Sequence, residues 1–410
     1  MKIIRPQNET QIIEVIWFAL TKGLPVKAKG SGGSKNNCNH STGICIDMRD
    51  FSRPIALCEN QVTVQAGMNF CELNQFLWGH GLCLATICEW DKATVGGAVS
   101  TGSHGGSLYH GSISSSVLRI KLIDGKGEIV EISRDDPNFN DMLISFGRIG
   151  VILEVTLDCE KSFYLNMETT ILCFDEFIDS YSYNCRSNEF YSAVWFPSNN
   201  QFIQFVGKRS SSSMRNFTKR TTRFNSRALV SEIFFNIVGN DNGWLDLIYK
   251  KRAYDRSYEI LAPVKTSPNT VQMIRAILGQ PIEIEFAIPY QATTEVLKKL
   301  KQYLHSANIY FPLGIRPGAG EKLLLSPCFE KESTWISLFF LPSIYDYSKL
   351  GRIFDLFCAY SGRPHWGKHF WLPNNYLEEQ YPGWTSFKNL ISIHDPDYIF
   401  QNNFSKRLNL

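Results

Sequence analysis

Residues 94–105 read Thr94-Val95-Gly96-Gly97-Ala98-Val99-Ser100-Thr101-Gly102-Ser103-His104-Gly105, a run almost free of large side chains. Backbone N–H groups in such a run can crowd against a diphosphate that bulkier residues would hold away. A second run, Gly30-Ser31-Gly32-Gly33-Ser34, follows a short predicted strand at 26–29, and Gly147 to Gly150 supply a third turn. Neither of the longer runs is a G-x-G-x-x-G opening a helix, and neither ends in Gly-Lys-Ser/Thr. Rossmann and P-loop readings therefore fail. One such loop alone reads as a structural turn. Several in one region fit an extended ligand such as a dinucleotide, whose successive parts need several such loops.

The 410 residues are too many for one core, so two packed domains are expected. Apolar residues make up 44% and charged residues 20%, an ordinary balance for a water-soluble chain. The net charge of +3 is too small to argue for nucleic acid. Eleven scattered cysteines include no C-x-x-C pair, which excludes the common zinc and redox-pair patterns and fits free thiols in a reducing compartment. Met1-Lys2-Ile3-Ile4-Arg5-Pro6 lacks the apolar core of a signal peptide. No stretch of eighteen apolar residues occurs. A cytoplasmic protein is expected.

Asn8 with Gln11 predicts a capped helix whose apolar residues Ile12, Ile13, Ile16, Ala19 and Leu20 share one face, with Gly23 as its stop. Strands are expected at 44–48 and 62–66, and a second helix over 69–77. A hairpin is expected from 117–123 and 128–132 across Asp124-Gly125-Lys126-Gly127, followed by a strand over 151–157. This is an α+β domain over 1–158. A second, mixed α/β region over 159–385 carries strands at 190–196, 282–288 and 334–341 and a helix over 293–306. A tail over 386–410 returns to the first domain. Residues 208–227 hold seven Lys or Arg and no acid. That stretch reads as a solvated loop, or as a surface for an anionic partner or membrane.

Near the C-terminus stands Arg363-Pro364-His365-Trp366-Gly367-Lys368, two ionisable groups beside an aromatic one. With these motifs on the page the chain resembles the FAD-dependent vanillyl-alcohol-oxidase (PCMH-type) fold, and within it the sugar-lactone and alditol oxidases. The resemblance runs through 30–34, 94–105, 147–152, 324–329, 363–368 and the Asp395-Pro396 tail. It implies a two-domain enzyme with FAD in a cleft, held by Gly30, Ser31, Gly32, Gly33, Ser34, Gly96, Gly97, Ser100, Thr101, Gly102, Ser103, His104, Gly105, Gly147, Gly150, Val151 and Ile152. It further implies that Lys368 and Arg316 act on the substrate, that His365 and Trp366 shape the pocket wall, and that no metal is needed. His104 is expected to order its glycine loop.

Two departures stand out. Many relatives carry a histidine that bonds covalently to the flavin where this chain has Gly33, so noncovalent FAD is expected. His40, Cys38, Cys83 and Cys88 are the remaining nucleophiles nearby. Relatives also carry Glu-x-Arg where this chain has Gly314-Ile315-Arg316. Glu283 and Glu285, alternate residues on one strand, are candidate replacements, although an ordinary sheet role for at least one is open. The strand from Ile336 to Phe340 lacks a histidine found in alditol oxidases, which predicts a more apolar pocket. The resemblance thus implies oxidation of a CH–OH group of a sugar-derived lactone, polyol or related hydroxylated metabolite, with O2 or another acceptor taking the electrons. Alternatives are an oxidase of lipid-linked sugar phosphates and a flavin-fold protein without turnover.

Overall fold

The computed structural model describes residues 2–86, 88, 90–210, 282–340 and 346–410. The expected first helix spans Glu9–Lys22. Asn8 accepts from the Gln11 amide, and Gly23 closes the helix with a left-handed φ of 59°. Ile12, Ile16 and Ala19 are buried on one side, against the short parallel sheet Lys2–Ile4, Ile44–Asp47 and Val26–Lys29. Beside it lies a five-stranded antiparallel sheet in the order Pro54–Cys58, Gln61–Gln65, Gly150–Asp158, Val117–Asp124, Ile129–Ser133. The expected hairpin is its edge.

The 94–105 run is not all loop. Val95–Thr101 is a helix that ends at Gly102, whose φ is 66°. Its small residues let it lie close against Ala66: a Cβ on Gly96 would come within 2.9 Å of the Ala66 methyl.

The second region is built on a seven-stranded antiparallel sheet. Its order is Tyr164–Cys173, Gln201–Ser210, Phe190–Phe196, Leu313–Gly318, Ser333–Phe340, Ile282–Pro289, Arg363–Pro364. One face is covered by the helices Phe174–Ser187, Thr293–Ser306 and Ser348–Ala359. Phe177 stacks on Phe202 at 3.7 Å, and Phe286 packs on Phe357 at 5.1 Å. Each fully buried phenylalanine contributes about 1.5–3 kcal/mol. In Thr293–Ser306 the buried Val296, Leu297, Leu300 and Leu304 keep a helical period.

Strand alternation then decides what the other face carries. Ile284, Phe286 and Ile288 enter the core, so Glu283 and Glu285 point the opposite way. Register places Glu285 beside Ser337 and Ser337 beside Gly314 in one cross-strand row, with Arg316 beside Trp335 in the next. The tail closes the first domain. Asp395 is fully buried against Arg148 and accepts from the amides of Ile399 and Phe400. Asn402 caps the helix Asn403–Arg407 and donates to carbonyls at Cys38 and His40.

All eleven cysteines are free thiols. No helix among the described residues is long and apolar enough to cross a membrane. Of the basic stretch, Lys208 and Arg209 lie on a strand end, where Arg209 is bridged to Glu160 and Glu189. The remainder, 211–227, lies outside the described residues.

Candidate active site

Three backbone segments converge on one cleft. The Gly30–Ser34 turn is tied to the late motif by the Lys35 amide donating to the Gly367 carbonyl and by the Asn36 side chain donating to the carbonyls of Trp366 and Lys368. The 103–107 loop is tied to the large sheet by Ser107 N donating to Pro317 O and Tyr191 N donating to Gly106 O. The third is the 365–369 segment, whose His365 and His369 amides donate to the carbonyls of Glu285 and Glu283. The glycine turns therefore form one end of the cleft and the charged sheet face the other.

At the first end, Gly30, Ser31, Gly32, Gly33, Ser34, Gly96, Gly97, Ser100, Thr101, Ser103, His104, Gly147, Gly150 and Ile152 line the cleft as expected. Among the described residues, the amides of Ser31, Gly32, Gly33 and Ser34 donate to no protein acceptor. In the second run, the amides of Val95 and Gly96 are spent on Met68 and Ala66 carbonyls. Open amides thus remain at Gly97, His104 and Gly105 of the second run as well as throughout 31–34 of the first turn. No side chain fits there: a Cβ on Gly30 would lie 2.0 Å from the Thr94 hydroxyl, and one on Gly33 would lie 2.2 Å from the Trp90 ring. This bare cradle suits a nucleotide diphosphate.

Three of the residues expected at the cofactor stand outside the cleft lining. Gly102 turns the helix end, Gly105 faces a separate small cavity, and Val151 is buried in the core beneath the first helix. Residues missed in the sequence include Thr94, Trp90 and Phe146, which also line the cleft. Only Thr94, abutting the glycine run, carried a signal.

Of the nucleophiles near Gly33, Cys38 and Cys88 line the cleft, and burial raises the Cys38 thiol above its ordinary range. Burial pushes the Cys83 thiol up to about 12. His40 is exposed.

At the other end stands a charged cluster. Arg316 donates to Glu285 Oε1 at 2.5 Å, and Lys368 Nζ lies 2.8 Å from Glu283 Oε2. Lys35 approaches the other Glu283 oxygen at 3.0 Å. Burial would raise Glu285, but the Arg316 guanidinium outweighs it and holds the carboxyl well below its usual range. Burial opposes the charge of Lys368, yet Glu283 and Glu285 raise it, so the ammonium persists. The expected apolar pocket is therefore not found at this end. Both glutamates face the site, and Glu285, on the strand beyond Ser333–Phe340 from Gly314, brings a carboxylate to Arg316.

Trp366, expected to shape the pocket wall, does not line the cleft. It is fully buried behind the wall, against Phe146 and Tyr381, with its indole N–H on the Leu325 carbonyl. Its bulk sets the backbone that presents His365 and Lys368 rather than touching a ligand.

His104, Glu285 and His365 bring ligand-type atoms within 4.8 Å of one another. A cation there would compete with the Arg316 guanidinium for the same carboxylate. Burial pushes the His365 imidazole down to about 3, with Glu285 opposing and His104 adding. Between its ordinary 6.5 and that value the unfolded chain binds the extra proton. Stability from this group is thus complete above about pH 6.5 and lost as pH falls toward 3. His365→Gln is expected to flatten the urea midpoint against pH between about 6 and 4; an unchanged slope would exclude the histidine as its source.

A dinucleotide cradle opening onto an Arg–Glu and Lys–Glu floor defines an FAD-dependent oxidoreductase, and an FAD binding domain model matches residues 2–133. The D-arabinono-1,4-lactone oxidase model matches residues 155–408, more than half of the chain, and the protein belongs to that family. The chain is 27% identical to L-gulonolactone oxidase of Mus musculus, covering 98% of this chain and 94% of the relative. It is 26% identical to L-gulono-1,4-lactone dehydrogenase of Mycobacterium tuberculosis over 99% and 95%. Against D-arabinono-1,4-lactone oxidase of Saccharomyces cerevisiae it is 24% identical over 75% and 61%. Among solved structures, a solvent-stable cholesterol oxidase superposes with a TM-score of 0.78 at 16% identity, covering 100% and 94%. Cholesterol oxidase from B. sterolicum gives 0.79 at 13%, covering 99% and 93%. These two establish the fold alone.

Proposed function

We propose that this protein oxidises a CH–OH group of a sugar-derived lactone or a closely related polyol, passing the electrons to O2 or another acceptor. The observation that carries the reading is the meeting of the diphosphate cradle with Arg316, Glu285, His365 and Lys368 in one cleft. FAD bound there supplies the two-electron acceptor. The protein's own residues do the rest. Arg316 and Lys368 hold substrate oxygens and favour negative charge developing on them. Glu285, buried on the sheet face, accepts from substrate hydroxyls while keeping Arg316 in place. A Cβ on Gly314 would lie 2.4 Å from Ser337 Oγ, so the serine hydroxyl occupies the place a side chain there would take.

The experiment is anaerobic mixing of the holoenzyme with a panel of aldonolactones, alditols and glycosyl phosphates, watched at the flavin absorbance. Bleaching by a lactone or polyol, with reoxidation in air or by an added acceptor, is the expected result. Reduction by no member of the panel would overturn the reading. Acid precipitation of the same protein is expected to release FAD into the supernatant, since Gly33 offers no atom for a covalent link.

A further inference from the structure

We infer that His104, through Nε2, takes the proton released when the substrate carbinol is oxidised, an inference that rests on the reaction proposed above. His104 Nδ1 lies 2.9 Å from the Gly105 carbonyl oxygen. A carbonyl only accepts, so Nδ1 carries the hydrogen, and the neutral ring keeps its lone pair on Nε2. Nε2 stands 3.6 Å from Glu285 Oε1, longer than a hydrogen bond. In that tautomer Nε2 has no protein donor among the described residues, and His104 lines the cleft, where a substrate hydroxyl can supply one.

The other groups of the cleft do not serve. Arg316 does not deprotonate. Lys368 is kept charged by Glu283, and Glu283 sits between two ammonium groups. Glu285 is committed to Arg316. His365 accepts from the Gly367 amide through Nδ1 at 2.9 Å, so its neutral ring presents N–H, not a lone pair, at Nε2. The His104 ring alone among these described groups offers a base. Once protonated it faces the Glu285 carboxylate and lies flat on Trp335, 3.8 Å away with the planes at 10°. In the step itself, the carbinol O–H proton goes to Nε2 and that bond's electron pair becomes the second C–O bond. With FAD bound, the carbinol hydrogen would leave with its own electron pair to that cofactor, so that substrate would be oxidised and FAD reduced.

Groups facing His104 from the packed elements are Glu285, Arg316, His365 and Lys368 on the cleft side. On the far side His110, Glu321 and Cys328 share a small cavity with it. The test has two arms. In 15N-histidine-labelled protein, with or without FAD, the resonance lost in His104→Asn is expected to report the Nδ1–H tautomer when neutral; an Nε2–H tautomer overturns the inference. Asparagine keeps a donor for Gly105 but has no base at Nε2. His104→Asn should therefore reduce its flavin about 10²–10⁴-fold more slowly at saturating substrate, with FAD content unchanged and the acid limb of the rate–pH profile gone. Added imidazole should restore rate to His104→Ala. Reduction within threefold of the parent, with the acid limb intact, would overturn the inference while leaving the proposed reaction standing. A parent enzyme that no lactone or polyol reduces would instead overturn the reaction, and this inference with it.

Discussion

Arg316→Met is expected to destabilise the protein by about 3–5 kcal/mol and to slow substrate-driven flavin reduction by more than about 100-fold. The stability loss comes from Glu285, not from the arginine's own packing. Glu285 is almost fully buried on a strand whose other face is core, so it cannot turn to water. Without the guanidinium at 2.5 Å its carboxylate keeps only the more distant His104 and the charge of Lys368. It must then bind a proton or stay charged in a poor environment, and both cost free energy. A double variant, Arg316→Met with Glu285→Met, removes both charges. It is expected to regain most of the lost stability in urea while flavin reduction remains impaired. A single variant with an unchanged urea midpoint would show that Glu285 does not depend on Arg316.

Lys368→Met is expected to behave differently: flavin reduction falls more than tenfold, toward about 10²–10³, with FAD content and the urea midpoint near those of the parent. The contrast follows from what each cation leaves behind. Glu283 loses one ammonium but keeps Lys35 at 3.0 Å, so no carboxylate is stranded. The loop contacts that hold the cradle together use the backbone carbonyls of Trp366, Gly367 and Lys368, which the substitution leaves in place. Stopped-flow reduction beside an FAD extraction measures both quantities. Reduction at the parental rate would remove Lys368 from the chemistry, and loss of FAD would recast it as part of the cradle.

Local structure was legible where one short stretch carries its own signals. Asn8 and Gly23 bound the first helix, and the 117–133 hairpin turns where Asp124-Gly125-Lys126-Gly127 stands. The glycine run misled in one respect. Gly96 and Gly97 discourage a helix in isolation, but close packing on Ala66 needs residues without a Cβ, and that contact is long-range. Trp366 misled because an aromatic between two polar residues reads the same whether it faces a ligand or the core. Only the positions of Phe146 and Tyr381, distant in sequence, show which.

By itself the sequence determined the cradle, since a diphosphate can be reached only by backbone free of side chains, and those glycines are adjacent in the chain. It also determined which strands carry charge on one face, because alternation is a local property. The tertiary structure decided the partnerships: Glu285 with Arg316 and His104, and Glu283 with Lys368 and Lys35. Those pairs join residues from separate strands and loops. Their meeting depends on sheet register and loop ties that no single stretch of sequence encodes.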